Sequence, residues 1–127
     1  MSLFIASVAI YPFTSINADI GENEAAIVKR YGQDTFPDQH LYKSNGITIL
    51  VIFAKGASVN ETFTGVSEAN ISVILARYSK GQKWVLQPSD NHFKIWKLPG
   101  KGITASFLAP GSLTISLDSY EASQPKF

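Results

Sequence analysis

The sequence predicts an α+β fold: two tandem α-β-β-β units, with one antiparallel sheet and both helices packed on one face. Two amphipathic stretches predict the helices. Runs of alternating apolar residues predict the strands. The repeated order of these elements predicts the pairing of two units.

The clearer helix lies in Val66–Gly81, VSEANISVILARYSKG. Ser67 is a good N-cap, because its hydroxyl can accept a bond from a free N–H of the first turn. Ile71, Ile74, Leu75 and Tyr78 fall at i, i+3, i+4 and i+7, on one face. Val66 and Ile71 have the spacing of a hydrophobic staple, and Gly81 is the expected stop. The earlier helix lies in Ile20–Gln33. Glu22 and Glu24 sit in its first turn and Lys29 and Arg30 in its last, matching the helix dipole. Ile27, Val28 and Tyr31 form its apolar stripe, and Gly32 is its expected end.

Gln33–Gln39, with Asp34, Pro37 and Asp38, reads as a loop. His40–Ser44 is a short strand. Asn45-Gly46 is a type I′ hairpin signal, because both central positions of that turn need positive φ. Ile47–Phe53 is a strand with Ile47, Ile49, Val51 and Phe53 on one face and Leu50 and Ile52 on the other. Lys55-Gly56 is a second turn, and Ala57–Thr64 a strand with Val59 and Phe63 on one face. After the second helix, Trp84-Val85-Leu86 reads as a short strand or packed loop. Phe93–Leu98 and Ile103–Leu108 are strands around the Pro99–Gly102 turn. Pro110-Gly111 turns the chain into Ser112–Asp118, where Leu113, Ile115 and Leu117 alternate with Ser112, Thr114 and Ser116. Ser119–Phe127 reads as a loose tail.

Internal similarity supports the repeat. Ile27-Val28-Lys29-Arg30-Tyr31 aligns with Ile74-Leu75-Ala76-Arg77-Tyr78, and Phe53-Ala54-Lys55-Gly56 with Leu108-Ala109-Pro110-Gly111. Residues 19–118 are expected to form one domain of two repeats, 20–64 and 66–118. Joining the two units edge to edge would bury two sheet edges and create one core.

Composition narrows the function. Hydrophobic residues make up 45% of the 127, enough for a packed core. Eleven basic against ten acidic residues leave a net charge of +1 and no basic stripe, so nucleic acid has no electrostatic footprint here. The lack of cysteine excludes disulfides, thiolate metal sites, a catalytic thiol and a lipidated cysteine. Leu3–Ile10 is apolar but too short to span a bilayer, and Ile16-Asn17-Ala18 matches a signal-peptidase site. Residues 1–18 are therefore expected to be a signal peptide, and the protein periplasmic or secreted, with no stable membrane span.

The helix carrying Ile20-Gly21, Ile27-Val28 and Tyr31-Gly32-Gln33, followed by three antiparallel strands, resembles the small BamE/SmpA/OmlA-like bacterial envelope modules. The tandem arrangement is similar to β-lactamase inhibitor protein. The resemblance spans most of Ile20–Asp118 and implies a non-catalytic module acting through protein contacts.

The residues offer little chemistry of their own. His40 and His92 hold matching places near loop–strand junctions and read as exposed polar groups. With Asp38 and Asp90 they lack metal-motif spacing, so no metal or cofactor is expected. Tyr78-Ser79-Lys80-Gly81 does not match a nucleophile elbow, and Pro99-Gly100-Lys101-Gly102 lacks the frame of a phosphate loop. Glu22 and Glu24, two residues apart, point in different directions on a helix and read as surface groups. Asn60-Glu61-Thr62 and Asn70-Ile71-Ser72 match a glycosylation sequon, a pattern common by chance.

Aromatic residues are the more promising feature. Tyr42, Leu50, Ile52, Trp84 and Trp96 are expected to form an apolar protein-binding patch on the open sheet face. The sequence thus predicts a non-enzymatic protein-interaction module, an inhibitor or envelope-assembly accessory. The alternative is a small-ligand-binding envelope protein using the sheet face or the cleft between the units.

Overall fold

The computed structural model describes residues 18–36, 38–79 and 81–125. In order, the elements are α1 (Glu24–Tyr31), β1 (Leu41–Ser44), β2 (Ile47–Ala54), β3 (Ala57–Thr64), α2 (Glu68–Ser79), β4 (Val85–Leu86), β5 (Phe93–Leu98), β6 (Ile103–Leu108), β7 (Ser112–Leu117) and α3 (Asp118–Ser123). A 3-10 turn, Pro99–Lys101, joins β5 to β6. The strands form one antiparallel sheet in the order β1-β2-β3-β7-β6-β5-β4. The fold is α+β. The seam at its centre pairs β3 with β7, from Asn60 opposite Ser116 to Thr64 opposite Ser112.

Turn chemistry sets the register. Asn45 and Gly46 both have positive φ, 52° and 80°, so the two-residue turn places Ser44 opposite Ile47 and Tyr42 opposite Ile49. Lys55 and Gly56, at 53° and 79°, do the same for β2 and β3, placing Phe53 opposite Ser58. A bulge then intervenes. Phe53 pairs with Ser58 but Ile52 pairs with Asn60, leaving Val59 as the extra residue. The bulge has a simple cause. Ser58 must face inward opposite Phe53, and Phe63 must face inward opposite Ile49, yet they are five positions apart, an odd number. Strict alternation would put them on opposite faces, so one residue must be absorbed.

Both helices cover the same sheet face. Tyr31 of α1 lies 6.4 Å from Tyr42, and Tyr78 of α2 lies 6.4 Å from Phe63. Tyr42 and Phe63 flank Ile49 on one face. In α2, Ile71, Ile74, Leu75 and Tyr78 are buried as their spacing requires. They meet Ile49, Val51, Ile103, Phe107, Leu113 and Ile115 of the sheet in a single core. Gly81 follows α2 with φ of 81°, a conformation easy only for glycine.

In α1, Asn23 caps the first turn; its side chain accepts the Ala26 N–H at 2.9 Å. Gly32 closes the helix by donating to Val28 O at 2.7 Å. With eight residues α1 is too short to hold itself, and Ile27 is its one fully buried residue. Burial of that side chain contributes about 2–3 kcal/mol. Polar contacts supply further anchoring. Glu22, expected on the helix surface, precedes α1 and ion-pairs with Arg30 at 2.5 Å. The segment before α1 is bonded to the bulge, Gly21 N to Ser58 O and Ser58 N to Glu22 O, each at 2.8 Å.

Two expectations are revised. Val85–Leu86 forms a seventh strand at the sheet edge, so four strands follow α2 rather than three. The start of the expected loose tail is helical: α3 folds over one end of the second sheet face. There Glu121 Oε2 accepts bonds from Ser116 Oγ at 2.8 Å and Asn60 Nδ2 at 3.3 Å. Asn60, a sequon asparagine, is thus buried. Ala18 is buried as well, its N–H donating to Arg77 O at 3.1 Å. Residues 1–17, most of the expected signal peptide, lie outside the described residues. Among the described residues no helix is long and apolar enough to cross a membrane.

Candidate functional site

Among the described residues, the sheet face away from α1 and α2 is left outside the core. Strand register lines its residues into rows. One runs Leu50, Thr62, Thr114, Ser106, Ile95 across five strands. The next runs Thr48, Thr64, Ser112, Leu108, Phe93. A band of hydroxyls therefore occupies the centre, with Thr62 Oγ1 and Thr114 Oγ1 3.0 Å apart across the seam. Apolar side chains flank it: Leu50 and Ile52 on β2, and Phe93 and Leu108 on β5 and β6. These four are 43, 37, 41 and 56% exposed. Strands about 4.8 Å apart set the two flanks, three and four strand spacings from each other, roughly 14–19 Å apart. Among the described residues α3 is the element that packs on this face, at its Asn60–Ser116 end.

The five residues expected to form one patch do not share a face. Leu50 and Ile52 lie on the open face, but Tyr42 is completely buried beneath the helices. Trp96 sits opposite Ala105 on the helix side, lining a groove of about 340 Å³ with Glu68, Ile71 and Leu75 of α2. Trp84 packs on the core and its indole N–H donates to Leu75 O at 2.9 Å, so it tethers the end of α2. The physical reason is volume. Large rings fill the gap between a sheet and a helix layer better than the hydroxyl-bearing residues that alternate with them. Phe93 and Leu108, absent from the expected patch, complete the open face. Both fall in phase with the outward residues of their strands, which is the signal that identifies them.

A second feature is a cluster of buried polar groups between helices and sheet. Glu61 of β3 stands opposite Val51 and Ile115, on the core face, and is fully buried. Its Oε1 accepts the Tyr78 hydroxyl of α2 at 2.5 Å. Burial raises the Glu61 carboxyl to about 7, although the Tyr78 and Ser58 hydroxyls and the Arg30 charge act to lower it. Burial and the nearby Glu61 charge push the Tyr78 phenol well up, and the Tyr31 phenol rises for the same two reasons. Arg77, also buried, donates to Tyr31 Oη at 3.4 Å and so joins α2 to α1. Burial lowers the Arg77 guanidinium, against the opposing influence of the two tyrosines. For Arg30 burial acts in the same sense, but the Glu22 hydrogen bond and the neighbouring charges outweigh it and hold the group up.

No known protein family, characterised protein or solved structure matches this chain. Strand order sets the geometry of the remaining polar groups.

That geometry keeps the two histidines apart. His40 lies beside β1, its ring 4.9 Å from Phe53 and its Nδ1 3.5 Å from Glu24. His92 bonds the end of β6 next to β5. Five strand spacings lie between β1 and β5, roughly 24 Å. The loop aspartates serve the backbone. Asp34 accepts the N–H groups of Phe36, His40 and Leu41, and Asp90 those of His92 and Phe93. Among the described residues no three metal-ligating groups gather. A depression of about 530 Å³ opens where the β3–α2 and β6–β7 connections meet, lined by Thr64, Val66, Ser67, Pro110 and Ser112.

Proposed function

We propose that this chain is a non-catalytic protein-interaction module, an inhibitor or envelope-assembly accessory, and that its binding surface is the open sheet face. The carrying observation is the pair of exposed apolar flanks, Leu50 with Ile52 and Phe93 with Leu108, around a hydroxyl-rich centre. Apolar flanks favour association by leaving water, at about 25 cal/mol per Å². Serine and threonine hydroxyls can each donate and accept, so the centre can satisfy a partner's polar groups. The reading agrees with the function implied by the resemblance to envelope modules.

The test pairs Leu50→Lys with Leu108→Glu, which leaves the net charge unchanged. Both sites are exposed, so cooperative melting is expected to persist. A protein captured from native extract by the wild-type chain is expected to be lost with the double variant. Capture unchanged by the substitutions would contradict the surface. If a small molecule then raised the melting temperature of the wild-type chain, the depression at Thr64–Ser67 would be favoured as a ligand site.

We also place the protein in the periplasm or outside the cell, on the strength of Leu3–Ile10 and Ile16-Asn17-Ala18. The mature N-terminus, read by mass spectrometry, is expected at Asp19. An intact Met1 would contradict export by this route.

A further inference from the structure

We propose that Glu61 and Tyr78 form a proton-operated latch that controls how tightly the helix layer and the segment entering α1 are held on the sheet. The inference does not depend on the binding face.

Three structural facts support it. First, Glu61 is buried at the central seam, on a strand hydrogen-bonded to both β2 and β7. Second, its carboxyl contacts α2 directly, through Tyr78 at 2.5 Å. Third, Ser58, three residues before it, holds the α1 entry. Ser58 Oγ accepts Gly21 N–H at 3.0 Å and Glu22 N–H at 3.2 Å, beside the two backbone bonds of the same segment. One carboxyl therefore stands at the junction of α2, the α1 entry and the sheet.

The charged and titratable neighbours come from every covering element. Tyr78 and Arg77 belong to α2, Arg30 and Tyr31 to α1, and Glu22 to the segment before α1. From the sheet, Val51 and Ile115 bring only apolar side chains. The Arg30 charge is already engaged by Glu22 at 2.5 Å. Tyr78 and the Arg30 charge stabilise an ionised Glu61 only in part: its Oε2 is buried with no hydrogen-bond partner, and the neighbouring Glu22 repels it. Protonated, it is a neutral hydrogen-bonding partner for Tyr78. Ionisation favours states in which the α1 entry and the end of α2 lift and admit water.

Carbon-detected NMR titration of the glutamate carboxyls in the full chain reads the latch directly. The Glu61 signal is expected to titrate near neutrality, about 300-fold from an ordinary glutamate. Hydrogen exchange of the Gly21, Glu22 and Ser58 amides, corrected for intrinsic rates, is expected to accelerate up to tenfold per pH unit above that midpoint. In Glu61→Gln this acceleration should vanish. A Glu61 midpoint in the ordinary carboxylate range, or the same acceleration in Glu61→Gln, would overturn the latch. Should Glu61→Gln fail to fold, Tyr78→Phe takes its place. Loss of the phenol hydrogen bond is expected to raise the Glu61 midpoint, and an unmoved midpoint would overturn the latch.

Discussion

Replacing Tyr42 with alanine is expected to destabilise the domain by roughly 3–5 kcal/mol, a large part of the stability of a chain this size. Tyr42 is wholly buried between β1 and α1, with the Tyr31 ring 6.4 Å away and Ile49 across the strand. Truncation leaves a ring-sized cavity in an edge region that two short elements, β1 and α1, cannot easily close. Tyr42→Phe should behave oppositely. The Tyr42 hydroxyl is buried and has no hydrogen-bond partner, so removing it costs nothing and relieves a desolvated polar atom. Chemical denaturation of the three proteins would check this. An alanine variant as stable as the wild type would contradict the placement of Tyr42 in the core.

Glu61→Gln is expected to stabilise the protein at pH 8 by about 3 kcal/mol and to have little effect at pH 4.5 and below. The sign follows from the proton balance. The folded-state carboxyl, at about 7, holds its proton where the unfolded carboxyl, at 4.5, has released it. The stability supplied by protonated Glu61 is complete below 4.5 and is lost as pH rises through 7. The gap between the two values corresponds to roughly 3 kcal/mol. Glutamine keeps an acceptor for Tyr78 but carries no charge at any pH. Other groups cancel in the comparison of the two proteins. Asp34 and Asp90, for example, are held below the usual carboxylate range by backbone N–H groups, against the opposing effect of burial, and titrate below this window. Urea unfolding of both proteins between pH 4.5 and 8 is the measurement. Parallel curves would contradict a raised Glu61.

Much of the fold is legible in the sequence because local signals agree there. The Ile71, Ile74, Leu75, Tyr78 stripe, the Asn45-Gly46 turn and the alternation of Ser112–Leu117 each point to the element found. Even the burial of Tyr42 is readable. A two-residue turn at Asn45-Gly46 pairs Ser44 with Ile47, and counting outward brings Tyr42 to Ile49, an inward residue. Ring size suggested a binding patch, whereas register decides the face. Trp84 and Trp96 are harder, since β4 has two residues and no turn signal fixes its pairing.

Glu61 shows where local reading ends. In Asn60-Glu61-Thr62 a glutamate looks like a solvated strand residue. Yet it is in phase with Phe63, and the bulge at Val59 is what reconciles that phase with the inward Ser58. The bulge answers a conflict between the Lys55-Gly56 turn and the position of Phe63, and only the paired sheet exposes that conflict. The polar cluster likewise brings together Glu22, Arg30, Glu61 and Arg77, which are up to 55 residues apart in sequence, so no motif spacing can announce it.

The open face as a binding surface is the central functional claim, and a footprint of the complex tests it most directly. With a captured partner bound, hydroxyl-radical labelling is expected to fall at Leu50, Ile52, Phe93 and Leu108, while Trp96, partly exposed beside α2 on the helix side, keeps its labelling. Unchanged labelling at those four side chains, with protection on the helix layer instead, would contradict it.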